Sequence, residues 1–338
     1  MKEPVHRTKH PYIWGVAIAL IAGVYVYLIS GSDNFPEPGP NLQYDVSELL
    51  AVDQVDTRFE ETGQIVPTLA RARALETDDA GNLYIGGENV IVVFNREGVE
   101  TERIDIPGAA TCLEFTPDGR LLVGLDDKVL VLGPDRSPAA TWGDFTERSL
   151  ITAMAAGDEV VFLADAASRC VLRVDYNGAV LNRIGEADEA RDIPGLEVPS
   201  PYFDLAFDSD GELWVVNPGK LGLERYRENG DIVTSWYRPD VTRLDSFSGC
   251  CNPTQIAFNS EGRLVTGEKG PVRIKIFEVT SGAFEELVVG SSAFQVPQGI
   301  GDLAVDADDR IMVLDPKKNA IRIFEATKTA LAAKPTMQ

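Results

Sequence analysis

Short runs of alternating hydrophobic and polar residues fill the chain from about residue 55 to residue 326. The runs are rich in valine, isoleucine and leucine, and most of them end in a turn that contains Gly, Asp or Asn. This alternation predicts β-strands with one buried face. No long stretch between the runs has the 3.6-residue period of an amphipathic helix, so we expect an all-β fold.

One supersecondary unit recurs six times in this region. It consists of an apolar pair, an acidic or glycine turn, a short β-run, a polar turn and a second β-run. The six copies begin at Leu75, Leu113, Met154, Leu205, Ile256 and Leu303. Their first turns recur every 38 to 53 residues. A repeat of this size with several strands is typical of propeller blades, so we predict a six-bladed β-propeller over residues 55–326.

The sixth unit ends soon after Phe324 and lacks the outer strand that the first five units carry. Residues Asp56 to Val66 form an unassigned β-like run before the first unit. We expect this run to supply the missing strand. The two ends of the chain would then close the ring and remove an exposed sheet edge.

The sixth unit also resembles the NHL repeat. The match runs through Leu303, Ala304, Val305, Asp306, Asp315, Asn319, Arg322, Ile323 and Phe324. Units three and five match fairly, whereas units one and two have Gly87 and Leu125 where the repeat has an acidic residue. The resemblance implies an NHL-type six-bladed propeller, distantly similar to gluconolactonase-type propellers. It implies no single function, because such propellers include enzymes, ligand binders and scaffolds.

The N-terminal segment predicts a membrane anchor. Residues Tyr12 to Ser30 contain no charged side chain, and nineteen residues in a helix span about 28 Å. Lysine and arginine precede this stretch and acidic residues follow it, so we expect residues 1–11 in the cytoplasm. Residues 31–54 would be a linker, the propeller would lie in the periplasm or outside the cell, and residues 327–338 would be a coil tail. The alternative is a signal peptide cleaved near Ser30.

Charge and histidine content exclude several functions. The chain has 31 Lys and Arg against 53 Asp and Glu, a formal net charge of −22. This charge repels phosphate backbones, so we expect no nucleic-acid partner. The two histidines of the chain are His6 and His10, so the predicted propeller region has no imidazole for Ser-His-Asp hydrolysis or for zinc binding.

Three long connections between blades indicate where the protein binds. They are Gly185–Tyr202, Arg238–Asn252 and Gly290–Gly301, and we expect all three on one face, the long-loop face. Long loops on a rigid scaffold commonly carry binding residues. We therefore predict a surface for a protein partner, a membrane complex or a small ligand. Its residues would be Arg238, Arg243, Phe247, Cys250, Cys251, Asn252 and Gln255.

Acidic and amide side chains on the same face suggest a second site. The alignment of units places Asp204, Gln255 and Asp302 at the start of the innermost strand and Asn217 and Glu268 at the end of the second strand, near the mouth of the central channel. The candidate metal ligands among them are Asp204, Asn217, Glu268 and Asp302. Oxygen donors of this kind suit Ca²⁺ or another hard divalent cation. The alternative is that these residues cap turns, as we expect for Asp165 and Asp315, or line a solvated channel.

The predicted function is that of a non-catalytic binding or scaffold module without assigned catalytic residues. The alternative is a divalent-metal-dependent, lactonase-like hydrolase built on the four oxygen donors. The Glu-Gly-Pro signature of the gluconolactonase-type family is absent from this chain.

Four cysteines complete the candidate chemistry. Cys250 and Cys251 are adjacent, and an extracytoplasmic location permits a disulfide between them. Alternatively, one of the two bridges to Cys112, or all are free thiols. Cys170 lies in a strand-like run and reads as a small buried hydrophobe.

Overall fold

The computed structural model describes residue 52 and residues 55–295 and 299–327. The predicted anchor at residues 12–30, most of the predicted linker and nearly all of the predicted tail lie outside this part of the chain. In the described part, no helix is both long enough and apolar enough to cross a membrane.

The described residues form six four-stranded antiparallel sheets, which confirms the six-bladed propeller. Blades 1 and 2 contain β2 (Ala74–Thr77), β3 (Leu83–Gly86), β4 (Glu88–Phe94) and β5 (Glu100–Ala109), then β6 (Leu113–Phe115), β7 (Leu121–Leu125), β8 (Lys128–Leu132) and β9 (Pro138–Trp142). Blades 3 and 4 contain β10 (Ile151–Ala156), β11 (Val160–Asp165), β12 (Cys170–Asp175) and β13 (Val180–Ile184), then β14 (Leu205–Phe207), β15 (Leu213–Asn217), β16 (Gly222–Tyr226) and β17 (Ile232–Tyr237). Blades 5 and 6 contain β18 (Gln255–Phe258), β19 (Leu264–Gly267), β20 (Ile274–Glu278) and β21 (Ala283–Val289), then β22 (Leu303–Val305), β23 (Ile311–Asp315) and β24 (Ala320–Ala326).

The N-terminal strand β1 (Phe59–Ile65) completes blade 6, as predicted from the unassigned run. It pairs with β24 in antiparallel register from Phe59 opposite Ala326 to Ile65 opposite Ile321. Two ends of the described chain are therefore joined in one sheet, and β24 has no free edge.

The core lies between neighbouring blades. Between blades 4 and 5, for example, Trp214 and Leu223 pack with Ile256 and Phe277. A blade buries both of its faces in this way, which explains why its central strands are almost entirely apolar. The ring is the smallest unit in which these faces are covered.

Hydrogen bonds in blade 4 show that its second turn and the long connections share one face. Gly219 in the turn between β15 and β16 donates to Glu197 in the connection that precedes the blade. Arg238 in the connection that follows the blade donates to Leu221 in the same turn. At blade 4 the connections before and after the blade therefore lie on the same face, as the sequence predicts.

Candidate functional site: the central channel and the long-loop face

Polar side chains line the central channel in two layers. The first layer consists of one residue from each blade, at the start of the innermost strand or directly before it. Blades 4 to 6 supply Asp204, Gln255 and Asp302 to this layer. The second layer lies two residues further along, where blades 1 and 2 supply Glu76 and Glu114. These five side chains line one cavity of about 380 Å³.

The two glutamates extend the site beyond the sequence prediction. The blades that supply acids or amide to the first layer have alanine in the second, at Ala206, Ala257 and Ala304. The polar side chains of blades 4 to 6 and those of blades 1 and 2 therefore lie in different layers of the channel. Alternate residues of a strand point to the same side, so the period of two is the signal that finds Glu76 and Glu114.

The channel carboxylates join neighbouring blades through backbone N–H groups. The carboxylate of Asp204 accepts a hydrogen bond from Leu205 N at 2.8 Å and another from Ile256 N of blade 5 at 2.7 Å. The carboxylate of Asp302 in the same way accepts from its neighbour Leu303 at 2.8 Å and from Leu75 N of blade 1 at 2.7 Å.

Glu114 joins blades 2 and 3 by the same means. Its Oε1 accepts a hydrogen bond from Ala156 N at 2.9 Å. The innermost strands have an edge that no further strand covers, and these side chains satisfy part of its N–H groups.

Burial in the channel raises the pKa of all four carboxyl groups. The pKa rises to about 8 for Glu76 and Asp204 and to about 7 for Asp302, because desolvation disfavours the charged form. The pKa of Glu114 is raised well above its ordinary range by the same desolvation and by the nearby charge of Glu76. Near neutral pH the channel therefore retains protons on part of its carboxyl groups.

The four predicted metal ligands fall into two environments. Asp204 and Asp302 line the channel, whereas Asn217 and Glu268 are fully buried. Asn217 Nδ2 donates to Glu224 at 2.8 Å, and Lys275 Nζ lies 2.7 Å from Glu268 Oε1.

Within residues 55–295 and 299–327, no group of three or more His, Cys, Asp or Glu side chains is arranged to hold a metal ion. The metal site therefore stays a prediction of the sequence. Asp165 and Asp315 cap turns, as the sequence predicts. The carboxylate of Asp165 accepts hydrogen bonds from the backbone N–H groups of Ala167 and Ser168, and that of Asp315 from those of Lys317 and Lys318.

The connection between blades 4 and 5 is anchored by a buried aromatic side chain. Phe247 has no exposed surface and stacks on Trp236, with ring centroids 6.1 Å apart and planes inclined by 18°. Its ring also lies 5.5 Å from that of Phe277. Phe247 N donates to Arg238 O at 2.7 Å, which closes the loop.

Asn252 fixes the C-terminal end of this connection. Its Nδ2 donates to Ser248 O at 2.6 Å and to Lys269 O at 3.0 Å, and its Oδ1 accepts from Lys269 N at 2.9 Å. The prediction that Phe247 and Asn252 are presented to a partner is therefore corrected, because both side chains are buried and hold the loop instead.

Cys251 of the predicted surface is likewise buried, whereas the remaining residues of that surface are accessible. Arg243 and Cys250 are exposed and Arg238 is half-buried, while Gln255 lines the channel. Two further residues of this region, Tyr237 and Val241, are 37% and 49% exposed and are not among the residues that the sequence predicts for the surface. Exposed apolar side chains next to arginine are typical of protein interfaces.

All four cysteines are free thiols in this structure. Cys250 is exposed, and Cys251, Cys112 and Cys170 are buried. The predicted bond between Cys250 and Cys251 is not formed here, and an oxidised pair stays a prediction. Burial raises the pKa of Cys112, so this residue contributes a neutral thiol to the channel wall.

Comparison with known proteins supports the fold. No model of a known protein family matches the chain, and no curated protein matches its sequence. Among solved structures, the chain is similar to virginiamycin B lyase from Staphylococcus aureus, with 15% identity, a TM-score of 0.52 and coverage of 77% of this chain and 82% of the other.

Two further structures are similar to the same degree. A streptogramin B lyase matches with 11% identity, a TM-score of 0.56 and coverage of 80% and 98%. The WD40 β-propeller domain of Doa1 matches with 14% identity, a TM-score of 0.55 and coverage of 77% and 80%. At these identities the similarity shows the propeller fold alone.

Proposed function

We propose that the protein is a non-catalytic binding module whose long-loop face binds a partner protein. The observation that carries the proposal is the connection between blades 4 and 5. It presents Val241 and Arg243 at the surface beside Tyr237, the last residue of β17, while the buried ring of Phe247 anchors it to the blade. A surface that is ordered before binding loses little conformational entropy when the partner arrives.

The lyase activity of the similar structures is not carried over to this chain. One of them is a catalytically inactive histidine-to-alanine variant of the Staphylococcus aureus enzyme with quinupristin. The propeller region of the present chain contains no histidine. We also set aside the lactonase-like alternative, because Asn217 and Glu268 are engaged with Glu224 and Lys275 rather than with the channel.

The location of the module is part of the proposal. Residues 12–30 are apolar and follow a basic segment, which supports a single-pass anchor with the propeller on the periplasmic or outer side of the membrane. A partner in the same membrane complex would then meet the long-loop face at high effective concentration.

Site-specific photo-crosslinking tests the proposed surface. A benzophenone amino acid is introduced at Val241 in the full-length chain, and its products are identified in native membranes by mass spectrometry. We expect one predominant partner. The matched control is Val99, which is 57% exposed and lies in the turn between β4 and β5, away from the long connections. Identical products from the two positions, or none from Val241, would contradict the proposal.

A further inference from the structure

A buried charged side chain occupies the same register position in blades 4, 5 and 6. On the third strands, Glu224, Lys275 and Arg322 lie opposite Val215, Thr266 and Val313 of the second strands. Lys275 and Glu224 have no exposed surface, and Arg322 is 3% exposed. The equivalent residues of blades 1, 2 and 3 are Val92, Leu130 and Leu172.

The blades that carry the buried charge are the same blades that follow the long connections. Blades 4, 5 and 6 are the blades preceded by residues 185–202, 238–252 and 290–301. A buried charge is costly unless it is paired and hydrogen-bonded, so its repetition at one position calls for a physical reason. The contacts of each side chain supply this reason.

Lys275 holds the connection that precedes blade 5. Its Nζ donates to Ser246 O at 2.8 Å and to Leu244 O at 3.1 Å, and it forms an ion pair with Glu268. The ammonium group lies 4.6 Å from the ring centroid of Phe247 in the same connection. On its own strand it lies 5.2 Å from the ring centroid of Phe277.

Arg322 makes the equivalent contacts in blade 6. Its Nη1 donates to Ala293 O at 2.9 Å in the preceding connection, and its guanidinium lies 4.6 Å from the ring centroid of Phe294. Phe324, two residues further along β24, is the counterpart of Phe277 at 5.2 Å. Its acidic partners are Glu61 of β1, whose Oε2 lies 2.6 Å from Nη2, and Asp315 of β23, whose Oδ2 lies 3.8 Å from Nη1.

Blade 4 uses the same position with the opposite charge. The carboxylate of Glu224 accepts hydrogen bonds from the hydroxyls of Tyr226 and Tyr237 and from Asn217 Nδ2. Asn217 then reaches the preceding connection, because its Oδ1 accepts from Glu197 N at 3.0 Å. The tether is therefore indirect in this blade.

We propose that Glu224, Lys275 and Arg322 are positioning residues that tether the three long connections to the blades and thereby build one binding surface over blades 4 to 6. This inference rests on the proposed function for the use of the surface, but the tether itself is independent of any partner. Each side chain reaches a long connection, directly in blades 5 and 6 and through Asn217 in blade 4. Blades 1, 2 and 3, which follow none of the three long connections, have an apolar side chain instead.

Blade 2 shows that the blade core does not require a charge at this position. It has Leu130 at the position of Lys275 and Leu125 at the position of Glu268. Apolar residues of similar volume can replace a buried ion pair without loss of stability. We therefore expect the pair to be separable from folding.

The test is hydrogen–deuterium exchange of the full chain with both Glu268→Leu and Lys275→Leu, the arrangement of blade 2. We expect peptides from residues 238–252 to exchange at least ten-fold faster, including the amides of Phe247 and Asp240, which hydrogen-bond within the loop. Peptides from blades 1 to 3 should exchange as before. Lys275→Arg, which keeps the charge, should retain most of the loop protection.

Unchanged protection of residues 238–252 in the double variant would overturn the inference, and so would a uniform loss of protection throughout the ring. If the leucine pair does not fold, Glu268→Gln with Lys275→Met removes both charges at nearly constant volume and is judged by the same criterion. If the crosslinking experiment fails while the double variant still shows faster exchange of residues 238–252, only the proposed partner surface is contradicted.

Discussion

At the residue scale, the channel carboxyl groups combine a structural role with an unusual protonation state. Asp204 and Asp302 each accept backbone N–H groups from two blades and so satisfy the open edges of the innermost strands. Desolvation nevertheless raises the pKa of both to about 8 and about 7. Burial therefore outweighs the hydrogen bonds, which by themselves favour the charged form.

These raised pKa values predict a stability that falls with increasing pH. The folded state binds these protons more tightly than the unfolded chain does. The resulting stabilisation of the folded state is fully present below about pH 4 and is lost as the pH rises through 7 to 8. Asp204→Asn and Asp302→Asn should each reduce the decline between pH 5 and 8, by at most about 1.4 kcal/mol per pH unit.

Urea unfolding at several pH values measures this effect. Asp79→Asn, at an exposed turn position, is the control and should leave the slope unchanged. A slope that is the same in the wild type and in the Asp204 variant would show that this carboxyl group is already ionised at pH 5.

The individual site residues were only partly predictable from the sequence. Asp204, Gln255 and Asp302 follow from the repeat alignment, because they share one position at the start of the innermost strand. The sequence predicts Phe247 on the exposed side of its loop, but the side chain is buried, since a loop sequence does not show which side chain fills the groove between two blades. A charged residue within a strand, such as Lys275, reads as solvent-facing until the loop that covers it is known.

At the scale of the elements, a tryptophan–glycine contact joins successive blades. Trp236 is the second-to-last residue of the outer strand of blade 4 and lies against Gly282 in the last turn of blade 5, where an added Cβ atom would clash with its ring. Trp142 of blade 2 meets Gly178 of blade 3 in the same way, at 2.5 Å. Glycine is needed there both for its positive φ and for the absence of a side chain.

A pair of glycine variants separates these two requirements. Gly282→Ala should lower the free energy of unfolding by about 2 to 4 kcal/mol, because it adds a clash with Trp236 to the cost of φ +65°. Gly211→Ala has a similar φ of +76° with nothing within 4 Å of the added Cβ, so about 1 kcal/mol is expected. Chemical denaturation provides both values, and equal losses would show that backbone strain alone accounts for the effect.

The elements themselves follow from the pattern of the chain more readily than its site does. The period-two runs and their turns identify the blades because every blade buries two faces and must turn sharply at each end. The three long connections are equally visible. Their internal order depends on contacts distant in sequence, such as Lys275 with Ser246, which no local pattern contains.

At the scale of the whole molecule, one strand closes the ring. β1 covers the edge of β24, and Glu61 of β1 neutralises Arg322, which is buried between it and the connection that precedes blade 6. Arg322 lowers the pKa of Glu61, so the pair is charged at neutral pH. Closure and loop tethering therefore depend on the same arginine.

Removing the closing strand should therefore open the ring. A chain that begins at residue 67 leaves the edge of β24 uncovered and removes Glu61, the closer of the two acidic partners of Arg322. We expect a loss of about 2 to 4 kcal/mol of unfolding free energy and association through the free edge. Urea denaturation and light scattering after size exclusion measure the two effects, with a chain that begins at residue 55 as the reference.

Glu61→Gln in the chain that begins at residue 55 separates the strand from the ion pair. It keeps all backbone pairing of β1 but removes the charge, so it should lose part of the stability without associating. If this variant is as unstable as the chain that begins at residue 67, the ion pair rather than the strand closes the ring. If the shorter chain is as stable and monomeric as the reference, blade 6 does not depend on β1, and the closure argued from its register is wrong.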